Sequence, residues 1–226
     1  MNNLIVPVIT IDGPSGAGKG TVSQILSEKL GWNLLDSGSL YRIVAYAILK
    51  NHINLDDLVC IEQLIKSIDI NYNVTESTTD VLLDNENVTN YLRDERIGKT
   101  ASIIAANEIV RGYLTQKQKD FAKIPGLIAD GRDMGTVIFP NALLKIFLDA
   151  SPEERARRRT KQLQDKGLDV NIDEILANII DRDQRDRNRS ISPLVPADDA
   201  IVIDSTNLSI NEVVSYILES YALLKK

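Results

Sequence analysis

The chain has 226 residues, 43% of them hydrophobic and 26% charged, the proportions of a globular chain with one large α/β domain or a core with a small appendage. No apolar run approaches the ~20 residues of a membrane span, and the opening MNNLIVPVITIDG lacks a basic segment before a cleavable apolar stretch; with Cys60 as the single cysteine, the expectation is a cytoplasmic protein with neither disulfide nor membrane partner. A net charge of −6 argues against a nucleic-acid partner, although eight arginines crowd between Arg155 and Arg189.

In chain order, the β-branched run Leu4–Ile11 predicts a buried strand that ends at a turn, Asp12-Gly13. Val22, Ile25, Leu26 and Leu30 recur at helical spacing from Gly18 to Leu30, and Gly31 stops them. Leu34-Leu35 predicts a short strand ending at Asp36, and a helix follows over Gly38–Lys50. A short helix over Asp57–Ser67 precedes two alternating segments, Ile68–Val74 and Asp80–Val88, which predict a small antiparallel excursion. Arg96–Ala122 is helical and divides near Asn107. Strands return at Gly126–Ala129 and Leu143–Leu148. The segment Ser151-Pro152-Glu153-Glu154 opens a helix with a capping hydroxyl, an early proline and acids placed for the dipole. Helix Ile172–Asn188, strand Ala200–Ile203 and helix Ile210–Leu224 complete the chain. Strands that alternate with helices imply a mostly parallel sheet.

The segment Gly13-Pro14-Ser15-Gly16-Ala17-Gly18-Lys19-Gly20-Thr21 has Gly-x4-Gly-Lys between a predicted strand and a predicted helix, the context of a phosphate loop. Glycines let several N–H groups point at one anion, the helix N-terminus adds positive potential, and Lys19 reaches the outer phosphates. Gly20 stands where the general pattern has Ser or Thr. Thr21 is then the nearest hydroxyl for Mg²⁺, or the ion is held by phosphates and water.

An alcohol acceptor requires a side chain to take its proton. A phosphate monoester does not, because its second pKa is ~6 and its oxygen is already ionised. What it needs is positioning and charge screening, the work of arginine. The chain has one histidine, His52, and its arginines sit beside turns: Arg42 after Asp36–Tyr41, Arg132 after the strand ending at Asp130, Arg155–Arg159 on one helix and Arg182–Arg189 on another. Some of each cluster must be surface ion-pair residues, since a helix cannot project them all one way. Asp130 and Asp36 read equally as Mg²⁺ ligands through water or as caps on the turns that follow.

Five stretches resemble the bacterial cytidylate kinase family almost end to end: ITIDGPSGAGKGT (Ile9–Thr21), LLDSGSLYR (Leu34–Arg42), GLIADGRDMGTVIFP (Gly126–Pro140), KIFLDASPEERARRR (Lys145–Arg159) and RDQRDRNRSISPLVPADDAIVIDST (Arg182–Thr206). GKGT is also the form seen in nucleoside-monophosphate kinases. The resemblance implies a P-loop NTPase-like α/β fold, with a mostly parallel five-stranded sheet, helices on both faces, a small antiparallel β insert and a helical lid. It implies a core at about 1–66, 103–150 and 190–226, an insert at about 67–102 and a lid at about 151–189. It further implies transfer of the ATP γ-phosphoryl group to CMP or dCMP with Mg²⁺; no long heptad pattern demands an oligomer, and a monomer is the default expectation.

The resemblance assigns roles position by position. Ser37, Arg42 and Arg132 hold the acceptor phosphate, Arg182 and Asp186 reach the ribose, and Ser102, Arg111, Asp133 and Arg189 read cytosine. Lys19, Arg132, Arg158 and Arg182 act on the transferred group, with Arg158 the favoured lid arginine. Cytosine offers an amino donor that Asp133 can accept, whereas uracil presents a carbonyl there. Asp133 read as a plain ion-pair partner of an arginine is the alternative. A P-loop kinase of an alcohol such as shikimate or gluconate is the enzymatic rival, and a GTPase-like switch is the non-catalytic one; no Asn-Lys-x-Asp stretch supports the latter.

Overall fold

A computed structural model describes residues 6–74, 79–165 and 167–224. The leading part of the first expected strand, Leu4-Ile5, lies outside the described residues. The chain divides into two compact units, one of residues up to Asp36 and from Gln118 onward, the other Ser37–Lys117.

The first unit is built on five parallel strands in the order β2-β6-β1-β7-β8: β1 Val8–Asp12, β2 Asn33–Asp36, β6 Leu127–Gly131, β7 Leu144–Asp149 and β8 Ile201–Asp204. Strand β1 is central and buried along its whole length. Period-2 alternation sends Ile9 and Ile11 into an apolar cluster with Val22 and Leu26 of α1 (Lys19–Leu30) and Val213 and Ile217 of α8 (Ile210–Leu224). Each such side chain contributes about 1.5–3 kcal/mol by leaving water. Thr10 and Asp12, at the intervening positions, face the other way. Helices α6 (Pro152–Gln164) and α7 (Ile172–Asn188) pack on each other in the same unit. The expected cap is present: the Ser151 hydroxyl accepts from the Glu154 N–H at 3.2 Å.

The second unit holds α2 (Ser37–Lys50), α3 (Leu58–Ser67), α4 (Glu95–Ile104), α5 (Glu108–Lys119, of which the last two residues fall in the first unit) and a three-stranded antiparallel sheet, β3 Ile70–Val74, β4 Thr79–Leu83 and β5 Glu86–Asn87. The single strand expected over Asp80–Val88 is two. Asp84 and Asn85 turn it back with φ of 50° and 68°, a left-handed pair that these two short polar residues tolerate. The helical stretch after Arg96 divides near Asn107 as its pattern predicts, and the Asn107 side chain accepts from the Ile109 N–H at 2.9 Å to start α5. No described helix is long and apolar enough to cross a membrane.

Candidate active site

The loop after β1 is shaped by what lies outside it. Gly13 has φ of 145°, and a Cβ there would fall 2.0 Å from the Leu148 carbonyl oxygen on β7. Gly16 and Gly18 also take left-handed φ, 82° and 96°. Three of its carbonyls accept side-chain hydrogen bonds. Lys19 Nζ donates to Pro14 O at 3.0 Å, Arg155 Nη1 to Ser15 O at 3.1 Å, and Ser205 Oγ to Ala17 O at 3.2 Å. Carbonyls held in this way fix the conformation of the loop, and a glycine loop at a helix N-terminus is the kind of backbone that can cradle an anion.

Positive charge is concentrated at this loop. Lys19 is 6% exposed; burial lowers its pKa first, and Arg132 and Arg182 lower it further, against the pull of Asp130. The Lys19 ammonium stands 3.8 Å from an Asp130 oxygen. Burial raises the Asp130 carboxyl, Lys19 draws it back, and Asp36, its register partner on β2, pushes it up again. Arg182 Nη1 donates to Ser15 Oγ at 3.3 Å, and Arg132 Nε to Asp186 Oδ2 at 3.1 Å. Arg132, Arg182 and Asp186 therefore belong to one assembly with the phosphate loop, and Arg182 Nε lies 4.0 Å from the same Asp186 oxygen.

Strand β6 runs into a five-residue π-helical turn, Met134–Ile138, in the stretch between the expected strands where the sequence pattern named no element. Asp12 holds its beginning: its two carboxylate oxygens accept from the Met134 and Gly135 N–H groups at 2.9 and 2.8 Å. Burial raises the Asp12 carboxyl to about 7, even though these two donors pull it down. Asp133, 3% exposed, immediately precedes that turn.

The arginine run on α6 sorts by what each side chain touches. Arg155, 1% exposed, is enclosed by Asp183 on α7, the Ala150 carbonyl at 2.9 Å and Ser15; it ties α6 and α7 to the phosphate loop. Arg157 lies on the surface against Glu154. Arg158 Nε donates to Glu154 at 2.9 Å and Nη2 to the Ser205 carbonyl at 2.6 Å. Glu154, serving both arginines, has its pKa lowered to about 2, chiefly by Arg157. Arg189 at the end of α7 donates to the Ser192 carbonyl, and Thr21 is exposed in the first turn of α1.

In the second unit, Ser37 is buried at the start of α2. One turn on, Arg42 Nη1 donates to the Leu92 carbonyl at 2.7 Å, and its guanidinium rests over Gly98 of α4. Arg111 of α5 is buried, its Nη1 donating to Tyr41 Oη and to the Ala105 carbonyl, each at 3.2 Å. Ser102 is buried on α4.

The cytidylate kinase family model matches residues 9–223 of the chain.

The chain belongs to the cytidylate kinase family.

A cytidylate kinase of Aeromonas salmonicida (strain A449) is 53% identical over 214 residues, covering 95% of this chain and 93% of its own. One from Pasteurella multocida (strain Pm70) is 53% identical over 218 residues, covering 96% and 95%. Among solved structures, a gluconokinase from Sinorhizobium meliloti 1021 covers 97% of this chain and 94% of its own at 15% identity, with a TM-score of 0.47, a likeness too slight to bear on activity.

Four groups that shape this cytidylate kinase family member have no role assigned from the sequence: Asp12, Asp183 and Ser205, which lie within the family stretches, and Gly98, which lies outside them. Asp12 carried a usable signal, a carboxylate where an otherwise apolar strand meets the glycine loop. Asp183 and Ser205 act on partners 28 and 188 residues away, and no local pattern announces such pairings.

Proposed function

We propose that this chain moves the γ-phosphoryl group of ATP onto CMP or dCMP, giving CDP or dCDP. Family membership supports the reaction class and the acceptor. The observation that carries the physical reading is the crowding of Lys19, Arg132 and Arg182 at a glycine loop, close enough for the two arginines to lower the lysine pKa. Cations that repel one another in the protein alone are stabilised by a polyanion.

In this reading the loop N–H groups and Lys19 grip the β- and γ-phosphates. Ser37, Arg42 and Arg132 hold the acceptor phosphate, whose oxygen attacks without a general base because it is already ionised. Arg158 and Arg182 stabilise charge on the migrating group, and Asp186, which receives Arg132, orients that arginine and reaches the ribose with Arg182. Asp133 accepts the cytosine amino group, while Ser102, Arg111 and Arg189 meet the rest of the base. Residues 151–189 serve as the lid, which excludes water that would otherwise hydrolyse ATP.

Mg²⁺ fits the oxygen donors present. Asp130 and Asp36 form a carboxylate pair whose mutual repulsion a cation would relieve. Gly20 brings no hydroxyl, and a Cβ at that position would lie 3.6 Å from Asp130 Oδ2, so the carboxylate occupies the neighbourhood where the general motif has Ser or Thr. Asp130 would then hold the ion through water, with Thr21 a secondary oxygen, and bound Mg²⁺ would offset phosphate charge.

The test is coupled ADP release with CMP, dCMP, UMP, dUMP, AMP, shikimate and gluconate as acceptors. Turnover with the cytidine nucleotides well above all others is the expected result. ATP binding without acceptor turnover, or turnover of an alcohol, would contradict the proposal.

A further inference from the structure

We infer that Gly98 is a positioning residue for acceptor recognition: its bare Cα face on α4 is the seat of the Arg42 guanidinium, and that seat sets where Arg42 presents its donors. The inference rests on the reading of Arg42 as a ligand of the acceptor phosphate.

Gly98 sits inside α4, which spans Glu95–Ile104, and is buried. Glycine in a helix interior lowers stability relative to alanine, because the unfolded chain has more freedom to lose. The backbone does not ask for it, since Gly98 is not among the glycines with positive φ. Close approach of the neighbouring helix does not ask for it either. The three nearest atoms to a Cβ built at Gly98 are all from the tip of Arg42, with Nη2 at 3.0 Å, Nη1 at 3.1 Å and Cζ at 3.3 Å.

Both terminal nitrogens lie nearer than Cζ, so the Nη1–Nη2 end of the group is what abuts the glycine. Its edge is fixed separately, by donation from Nη1 to the Leu92 carbonyl at 2.7 Å. The glycine limits how far that end advances toward α4, and the carbonyl sets its direction. For a rigid fork that binds phosphate oxygens in pairs, these are the two variables that decide alignment. A methyl group at residue 98 meets only the far end of a flexible side chain. The fold can therefore absorb it, and the displacement falls on the guanidinium.

The experiment is a double-mutant cycle of Gly98→Ala and Arg42→Ala, read by KM for CMP, KM for ATP and Tm. Since misplacing a reacting group by ~1 Å can lower rate ~10²-fold, a shift of a few tenths of an ångström is expected to raise KM for CMP several-fold. KM for ATP should not move, and Tm should hold or rise. In the Arg42→Ala background, Gly98→Ala should leave KM for CMP where it was. Gly98→Ser, with a slightly larger side chain, should reproduce the single-variant result.

A wild-type KM for CMP in both glycine variants would overturn the inference alone. So would a lowered Tm with both Michaelis constants raised together, or additive effects in the cycle. If Arg42→Ala itself leaves KM for CMP unchanged, the phosphate-binding reading of Arg42 fails and the inference falls with it.

Discussion

In the phosphate loop, Gly13, Gly16 and Gly18 take φ angles that side chains rarely adopt, whereas Gly98 lies in ordinary helical backbone and provides only room. In the proposed function, the contrast reflects two ways of meeting a nucleotide, by its phosphates and by its base. On that proposal the first unit grips with main-chain N–H groups, so conformation is what must be specified, and three loop carbonyls are held by Lys19, Arg155 and Ser205. The second unit offers side chains, Arg42 and Arg111, each steadied by a main-chain carbonyl, Leu92 and Ala105 respectively. A backbone cradle suits any polyphosphate tail, whereas a guanidinium held at a defined position can discriminate.

The comparison breaks most visibly at Lys19. Lys19→Met is expected to lower kcat on the order of 10²-fold or more, since it removes charge needed in the transition state, and a stopped assay that returns wild-type kcat would take Lys19 out of the mechanism. Next in size, Asp133→Ala should raise KM for CMP by about 5- to 150-fold, from loss of ~1–3 kcal/mol of base recognition, with KM for ATP little changed. Equal shifts for both nucleotides would refute base reading by Asp133. The Gly98→Ala effect, several-fold on KM for CMP, follows.

The smallest expected effect on activity, and the most informative about the loop, is that of Asp12→Asn. The amide keeps one acceptor but turns an NH₂ group toward the second N–H, so the turn from Met134 loosens. The sign of the pH dependence is fixed by burial. The Asp12 carboxyl is raised from 3.8 to about 7 in the fold, so its contribution to stability is fully present below about pH 3.8 and is lost as pH rises through 7. The Tm difference between wild type and variant should therefore narrow as pH rises from 4 toward 8. A difference that widens over that range would refute the assignment of the raised pKa to Asp12.

The phosphate loop was legible because its determinants are consecutive: a β-branched strand, glycines at fixed spacing, a lysine and a helix period. Strand β1 extends one residue past the expected end, to Asp12, and the buried apolar alternation that marks it is what the core uses. The order of the sheet was not legible, since β6 inserts between β2 and β1 by pairing residues about 90 to 120 positions apart. The π-helical turn at Met134 was hidden for a similar reason: its support is the Asp12 carboxylate, 122 residues earlier. The arginine run on α6 was legible as a cluster but not in its division of labour. Whether Arg155 faces Asp183 or solvent depends on how α6 and α7 pack, and the sequence holds both charges without saying that they meet.

The most direct measurement is a crystal structure of the protein with CDP bound. The account predicts the phosphate nearest the ribose within hydrogen-bond distance of Ser37, Arg42 and Arg132, and the cytosine amino group on the Asp133 carboxylate. CDP bound with its base away from Asp133 and its phosphates away from both arginines would contradict it.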